Sequence, residues 1–184
     1  MALVNDNSKV LQIGDPMPPF VLEDIEKDLV DSAKVSQKVL VVVFTCNHCP
    51  YAQAYEDRLI ELDNRFFESG DVRFVLINSN DAEAYPDDSF AEMQKRAREK
   101  SFPFAYCHDE SQVVARKSGA LCTPHCFVFD ADRRLRYKGR IDDNWKEPAA
   151  VKEQNLADAI QALLDGKDPP AAEANAIGCS IKWK

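Results

Sequence analysis

The run Val39-Leu40-Val41-Val42-Val43-Phe44 passes through Thr45 directly into Cys46-Asn47-His48-Cys49-Pro50, and this junction constrains the chain more than any other stretch. An unbroken β-branched run of this length reads as a strand buried on both faces. Beyond it the period changes. Tyr51, Tyr55, Leu59, Leu62 and Phe66 recur at three- and four-residue steps, which predicts a helix from about Asn47 to Phe67. Pro50 is tolerated in its first turn, and Gly70 supplies the stop. Val72 to Asn78 reads as a second buried strand and follows at the spacing of a βαβ unit, so the two strands are expected to be parallel.

Further along, Asp87-Asp88-Ser89 offers an N-cap to a charged helix, Phe90 to Lys100. Phe104 to Cys107 suits a short strand, and Ser111 to Ser118 a short helix closed by Gly119. Cys126 to Asp130 and Leu135 to Gly139 alternate on either side of Asp130-Ala131-Asp132-Arg133, a hairpin pattern. Val151 to Leu164 is an amphipathic helix stopped by Gly166. A βαβ unit, further helices, an antiparallel hairpin and a closing helix describe an α/β sandwich around a central mixed sheet. The 184 residues are expected to form one domain over 1–166, with an extended C-terminal tail over 167–184.

The net charge of -8 argues against a nucleic-acid partner or an anionic membrane surface. The longest apolar run is too short to span a bilayer, and Met1 to Leu11 lacks a positive region followed by an apolar one. A cytoplasmic protein is expected. In that compartment the six cysteines read as catalytic, metal-binding or incidental, not as a structural disulfide framework. The sequence carries no glycine-rich phosphate loop and no nicotinamide or flavin fingerprint. No cofactor is expected, and electrons must arrive from a thiol/disulfide redox partner, either a protein or a low-molecular-weight thiol.

Cys46 and Cys49 have the chemistry for such exchange. A cysteine delivered by a strand to a helix N-terminus meets unpaired N–H groups that favour its thiolate, which can lower its pKa from about 8.5 into roughly the 3.5–7.5 range. On this reading Cys46 attacks a substrate disulfide, and Cys49, one turn later and more buried, resolves the mixed disulfide. His48 between them can stabilise the Cys46 thiolate when protonated. Cys107 reads as a small buried hydrophobe. A proton acceptor must come from elsewhere, with Glu56 and His125 as candidates.

Leu121-Cys122-Thr123-Pro124-His125-Cys126 leads into the hairpin. Phe44-Thr45-Cys46-Asn47-His48-Cys49-Pro50-Tyr51, Asn78-Ser79-Asn80-Asp81, Cys122-Thr123-Pro124 and the ending Gly178-Cys179-Ser180-Ile181-Lys182-Trp183-Lys184 resemble a peroxiredoxin-like subgroup of the redoxin, or AhpC/TSA, family in the thioredoxin superfamily. Gly14-Asp15-Pro16-x-Pro18-x-Phe20-x-Leu22-x-Asp24 is similar to that family's N-terminal motif. The resemblance covers nearly the whole chain. It implies a thioredoxin-like three-layer α/β/α sandwich, a redox-active disulfide, and a cis bond at Thr123-Pro124 that turns the Thr123 backbone toward substrate.

If that fold holds, Cys122, His125 and Cys126 come near the dithiol. Cys122 then reads as a possible auxiliary thiol. His125 and Cys126, with Cys46, His48 and Cys49, contain enough donors for zinc or copper(I), although strand alternation sends His125 and Cys126 to opposite faces. Cys179 is a further auxiliary candidate, provided that Ile181 and Trp183 anchor the tail. Thiol–disulfide exchange is therefore the leading expectation, with no resident metal. An antioxidant thiol peroxidase is the runner-up, because Val43 and Cys46 stand where the peroxidatic Thr-x-x-Cys pattern requires threonine. A metal-binding role is the third.

Overall fold

A computed structural model describes residues 10–184. The reading of Met1 to Lys9 as free of a targeting pattern lies outside the described residues. In chain order the elements are β1 (Val21–Glu23), β2 (Leu29–Asp31), β3 (Val39–Thr45), α1 (Pro50–Phe67), β4 (Val72–Asn78), α2 (Phe90–Lys100), β5 (Ala105–His108), α3 (Val113–Ser118), β6 (Cys122–Thr123), β7 (His125–Phe129), β8 (Leu135–Gly139), α4 (Asn155–Leu164) and β9 (Cys179–Ser180). The main sheet has the order β5-β4-β3-β7-β8, while β1 pairs with β2 and β6 with β9. β3 runs parallel to β4 and antiparallel to β7, so the sheet is mixed as expected.

Every residue of β3 is buried, and its alternation divides the core into two layers. Val39, Val41 and Val43 pack with Tyr55 and Leu59 of α1, Met93 of α2, and Leu156 and Ile160 of α4. Leu40, Val42 and Phe44 pack on the other face with Val114 and Ala115 of α3, Phe20 of the N-terminal segment, and Ile181 of the tail. Helices thus lie on both faces of the sheet, a three-layer α/β/α sandwich of the thioredoxin type. No helix is long and apolar enough to cross a membrane among the described residues.

Two helix starts differ from the sequence reading by three residues or more. α1 begins at Pro50 and not near Asn47, because proline fits the first helical position and lacks an N–H to be satisfied. The preceding Asn47 N–H goes instead to the Asp88 carboxylate, at 2.7 Å. α4 begins at Asn155 and not at Val151. There the Asp143 carboxylate accepts the Lys152 and Glu153 N–H groups at 2.9 and 3.2 Å, holding 152–153 in a loop.

Candidate active site

Because α1 starts at Pro50, its N-cap is Cys49, and Cys46 sits one turn outside the helix. Cys46 is 2% exposed and Cys49 is 0% exposed. The two thiols share a hydrogen bond, with the Cys46 S–H directed at Cys49. That bond and the N–H groups of Ala52 and Cys179 favour a thiolate on Cys49, pulling its pKa well below the ordinary cysteine value against the cost of burial. Cys46 is pushed up, first as the donor in the shared bond, then by burial and by the Asp88 carboxylate. The Thr123 carbonyl, 3.2 Å from Cys49 Sγ, favours the thiol form of Cys49 and opposes this. We place the charge on Cys49, since its donors outnumber that one acceptor and Cys46 faces a buried carboxylate. The sequence reading had put the stabilised thiolate on Cys46.

Thr123 and Pro124 stand opposite the sulfurs. Their peptide bond is cis, and the Thr123 side chain lies with Oγ1 3.1 Å from Cys46 Sγ. His48 and Asp88 complete the site from the other side. Asp88 is fully buried, with His48 Nδ1 2.5 Å from one carboxylate oxygen. Asn78 and Asn80 donate to the same carboxylate at 3.2 and 2.8 Å. The His48 ring stacks on Tyr85 with centroids 5.2 Å apart. Asn47 is fixed by its side chain, which accepts from the Tyr106 hydroxyl at 2.9 Å.

The proposed proton acceptors fare differently from this unforeseen one. Glu56 is engaged by Arg96, which donates to both its carboxylate oxygens at 2.6 and 2.8 Å. His125 Nδ1 accepts the Leu121 N–H at 3.3 Å, and burial lowers its pKa to about 4. Asp88 is the acid that sequence alone does not single out, since Asp87-Asp88-Ser89 reads as a helix cap. The Asn78-Ser79-Asn80 run at the end of β4 was the available signal, since buried amides at a strand end need an acceptor.

The expected metal donors do not assemble as a set. Cys126 is buried among the α1 and α4 side chains, while His125 packs on Phe127 of the opposite layer. Among the described residues, Cys46, His48 and Asp88 are the donors that gather within 4.8 Å of one another. Asp88 already satisfies its oxygens with four protein groups. Cys107 is buried as expected, its thiol pushed up to about 12 by burial.

The auxiliary thiols are close by. Cys122 and Cys179 are both half-buried, and burial pushes each thiol up to about 11. Cys122 and His125 line a cleft of about 640 Å³ between β8 and the tail. Cys179 packs on the cluster formed by Cys46, Cys49 and Ala52.

The Redoxin family profile matches residues 12–160. The chain belongs to the redoxin family. Two solved relatives extend this redoxin over nearly its full length. An uncharacterized conserved protein of Geobacillus kaustophilus is 39% identical, with 96% of this chain and 95% of that one aligned at a TM-score of 0.89. A hypothetical protein of Sinorhizobium meliloti 1021 is 33% identical over 96% of this chain and 97% of that one, at 0.87. A secreted Mycobacterium tuberculosis disulfide oxidoreductase, homologous to E. coli DsbE, shares the fold at 18% identity over 73% of this chain and 88% of that one, at 0.56. No curated protein matches the sequence.

Proposed function

We propose that this redoxin is a thiol–disulfide oxidoreductase whose working dithiol is Cys46 and Cys49. The observation that carries the reading is the hydrogen-bonded sulfur pair at the start of α1, facing Thr123 and Pro124. The geometry favours a division of labour opposite to that read from sequence. The Cys49 thiolate attacks a disulfide and expels one thiolate. Cys46 then attacks the Cys49 sulfur, closes the Cys46–Cys49 disulfide, and expels the second. Its proton passes toward the His48–Asp88 pair, whose nearest atoms lie within 4.8 Å of Cys46 Sγ. Thr123 and Pro124 bind the incoming group. The redox partner is a thiol or disulfide, and a reducing compartment such as the cytosol suits a dithiol that must be regenerated.

Paired cysteine variants test these roles. Cys49→Ser leaves Cys46 free of glutathione after treatment with glutathione disulfide, whereas Cys46→Ser arrests exchange with a disulfide on Cys49, read by mass mapping. A glutathione adduct on Cys46 of Cys49→Ser instead would restore Cys46 as the nucleophile.

The depressed Cys49 thiol also favours a second reading, thiol peroxidase action. A peroxide would oxidise Cys49 to a sulfenic acid, and Cys46 would resolve it with release of water. Peroxide consumption that is lost in Cys49→Ser supports this antioxidant role, and no consumption by the reduced protein excludes it.

A further inference from the structure

The dithiol is closed off by the chain's own end. β9 pairs antiparallel with β6, setting Cys179 opposite Thr123. Thr123 is the residue whose hydroxyl and carbonyl touch the two sulfurs. The side of its backbone where an incoming strand could pair is therefore already taken. The approach leaves no room for a side chain before Cys179: a Cβ on Gly178 would sit 2.1 Å from the Thr123 carbonyl oxygen.

Beyond β9 the segment is tied down at several points. Ile181 is buried in the α3-side core. The Lys182 N–H donates to Asn80 Oδ1 at 2.8 Å, and the Lys182 carbonyl accepts from the Asp81 N–H at 2.8 Å and from the Gln112 side chain at 2.8 Å. The Arg116 guanidinium lies 4.3 Å from the Trp183 ring centroid. Asn80 donates to Asp88 as well, so the strap and the site share one side chain.

This docking puts a sulfur against the dithiol. Cys179 packs directly on the cluster formed by Cys46, Cys49 and Ala52. It is also more exposed than either buried partner. We propose that Cys179 is a third redox thiol, held on the dithiol by a C-terminal strap, which exchanges with low-molecular-weight disulfides and relays the exchange to Cys49. The inference rests on the dithiol reading above. A compact molecule reaches the half-buried Cys179, whereas a peptide strand finds the Thr123 edge occupied.

The sequence of steps balances. Cys179 attacks a disulfide RSSR as its proton passes to the departing sulfur, forming Cys179–SR and releasing RSH. The Cys49 thiolate attacks the Cys179 sulfur, forms a Cys49–Cys179 disulfide and releases the second RS⁻, which takes a proton from water. Cys46 attacks the Cys49 sulfur and closes the Cys46–Cys49 disulfide, and Cys179 leaves with the proton of Cys46. One RSSR is reduced to two RSH while the dithiol is oxidised, and Cys179 is restored.

The test uses glutathione disulfide on the full chain. Cys46→Ser blocks the last step, so it should accumulate a Cys49–Cys179 disulfide, while wild type ends at Cys46–Cys49. Cys179→Ser and Cys179→Ala should both slow wild-type oxidation by about tenfold or more, as loss of a positioned exchange thiol predicts. A glutathione adduct on Cys49 of Cys46→Ser, with Cys179 free, overturns the relay. So does oxidation of both Cys179 variants at the wild-type rate. Wild type that forms no Cys46–Cys49 disulfide overturns the dithiol reading itself, a result distinct from either.

Discussion

Asp88 illustrates how much of the site depends on single buried groups. Its carboxylate is fully enclosed and accepts from the Asn47 backbone and from the Asn78 and Asn80 side chains, with His48 against it. A buried carboxylate is tolerated only when it is supplied with donors in this way. Its charge also weighs on Cys46, keeping that thiol protonated. We therefore expect an ultraviolet titration of the reduced protein to show a thiolate that persists well below the ordinary cysteine range, and that is absent from Cys49→Ser. Asp88→Asn should bring the Cys46 titration to lower pH; an unmoved Cys46 would count against this electrostatic coupling. The dithiol itself was legible because Cys46, Cys49 and Pro50 are contiguous with the β3 run. Asp88 was not, since its partner Asn47 lies 41 positions away along the chain and the spacing of local residues explains it adequately as a cap.

Among the elements, β9 is only two residues long, as is its partner β6, yet it lies against the site. Burying Ile181 stabilises the docked strap by about 1.5–3 kcal/mol, and each of its hydrogen bonds adds about 1 kcal/mol. Docking on this scale is firm but can be reversed by one clash. Gly178→Ala supplies such a clash, since its Cβ would meet the Thr123 carbonyl at 2.1 Å. The expected outcome is loss of amide-exchange protection at Ile181 and faster alkylation of Cys49 by about tenfold or more, as a local opening equilibrium predicts. Unchanged protection would mean that the strap accommodates the methyl group by shifting. Sequence reading foresaw that Ile181 and Trp183 could anchor the tail. It did not foresee the pairing of β9 with β6, because a two-residue strand carries no periodic signal. The starts of α1 and α4 were misplaced because Asp88 and Asp143 take up backbone N–H groups 41 and 9 residues away.

At the scale of the molecule, the unbroken run from Val39 to Phe44 was enough to foresee a sheet covered on both faces, and its successive residues enter the two core layers in turn. The same burial has a cost in acid. His125 is 7% exposed, and its pKa falls from 6.5 to about 4 through burial, with the nearby Lys138 charge adding to the effect. Below the unfolded value the denatured chain takes up a proton that the folded chain refuses. The associated stability is thus complete above about pH 6.5 and is lost as the pH falls toward 4, by about 3 kcal/mol. Denaturant melts across that window should show the decline, and His125→Gln should flatten it; an equal slope in both proteins would assign the acid sensitivity to other groups.

The tail has one more consequence, for encounters between copies of the chain. β8 lies at one rim of the main sheet. There Lys138 donates its N–H to the Ala172 carbonyl and accepts the Ala174 N–H, both at 3.1 Å. At the opposite rim, the Ile25 N–H meets the Tyr106 carbonyl of β5 at 3.0 Å. Each border is thus partly occupied by irregular chain from the same molecule, which leaves a neighbouring copy little backbone on which to add a strand. The residues that lead the strap to the dithiol also guard the sheet against polymerising edge to edge.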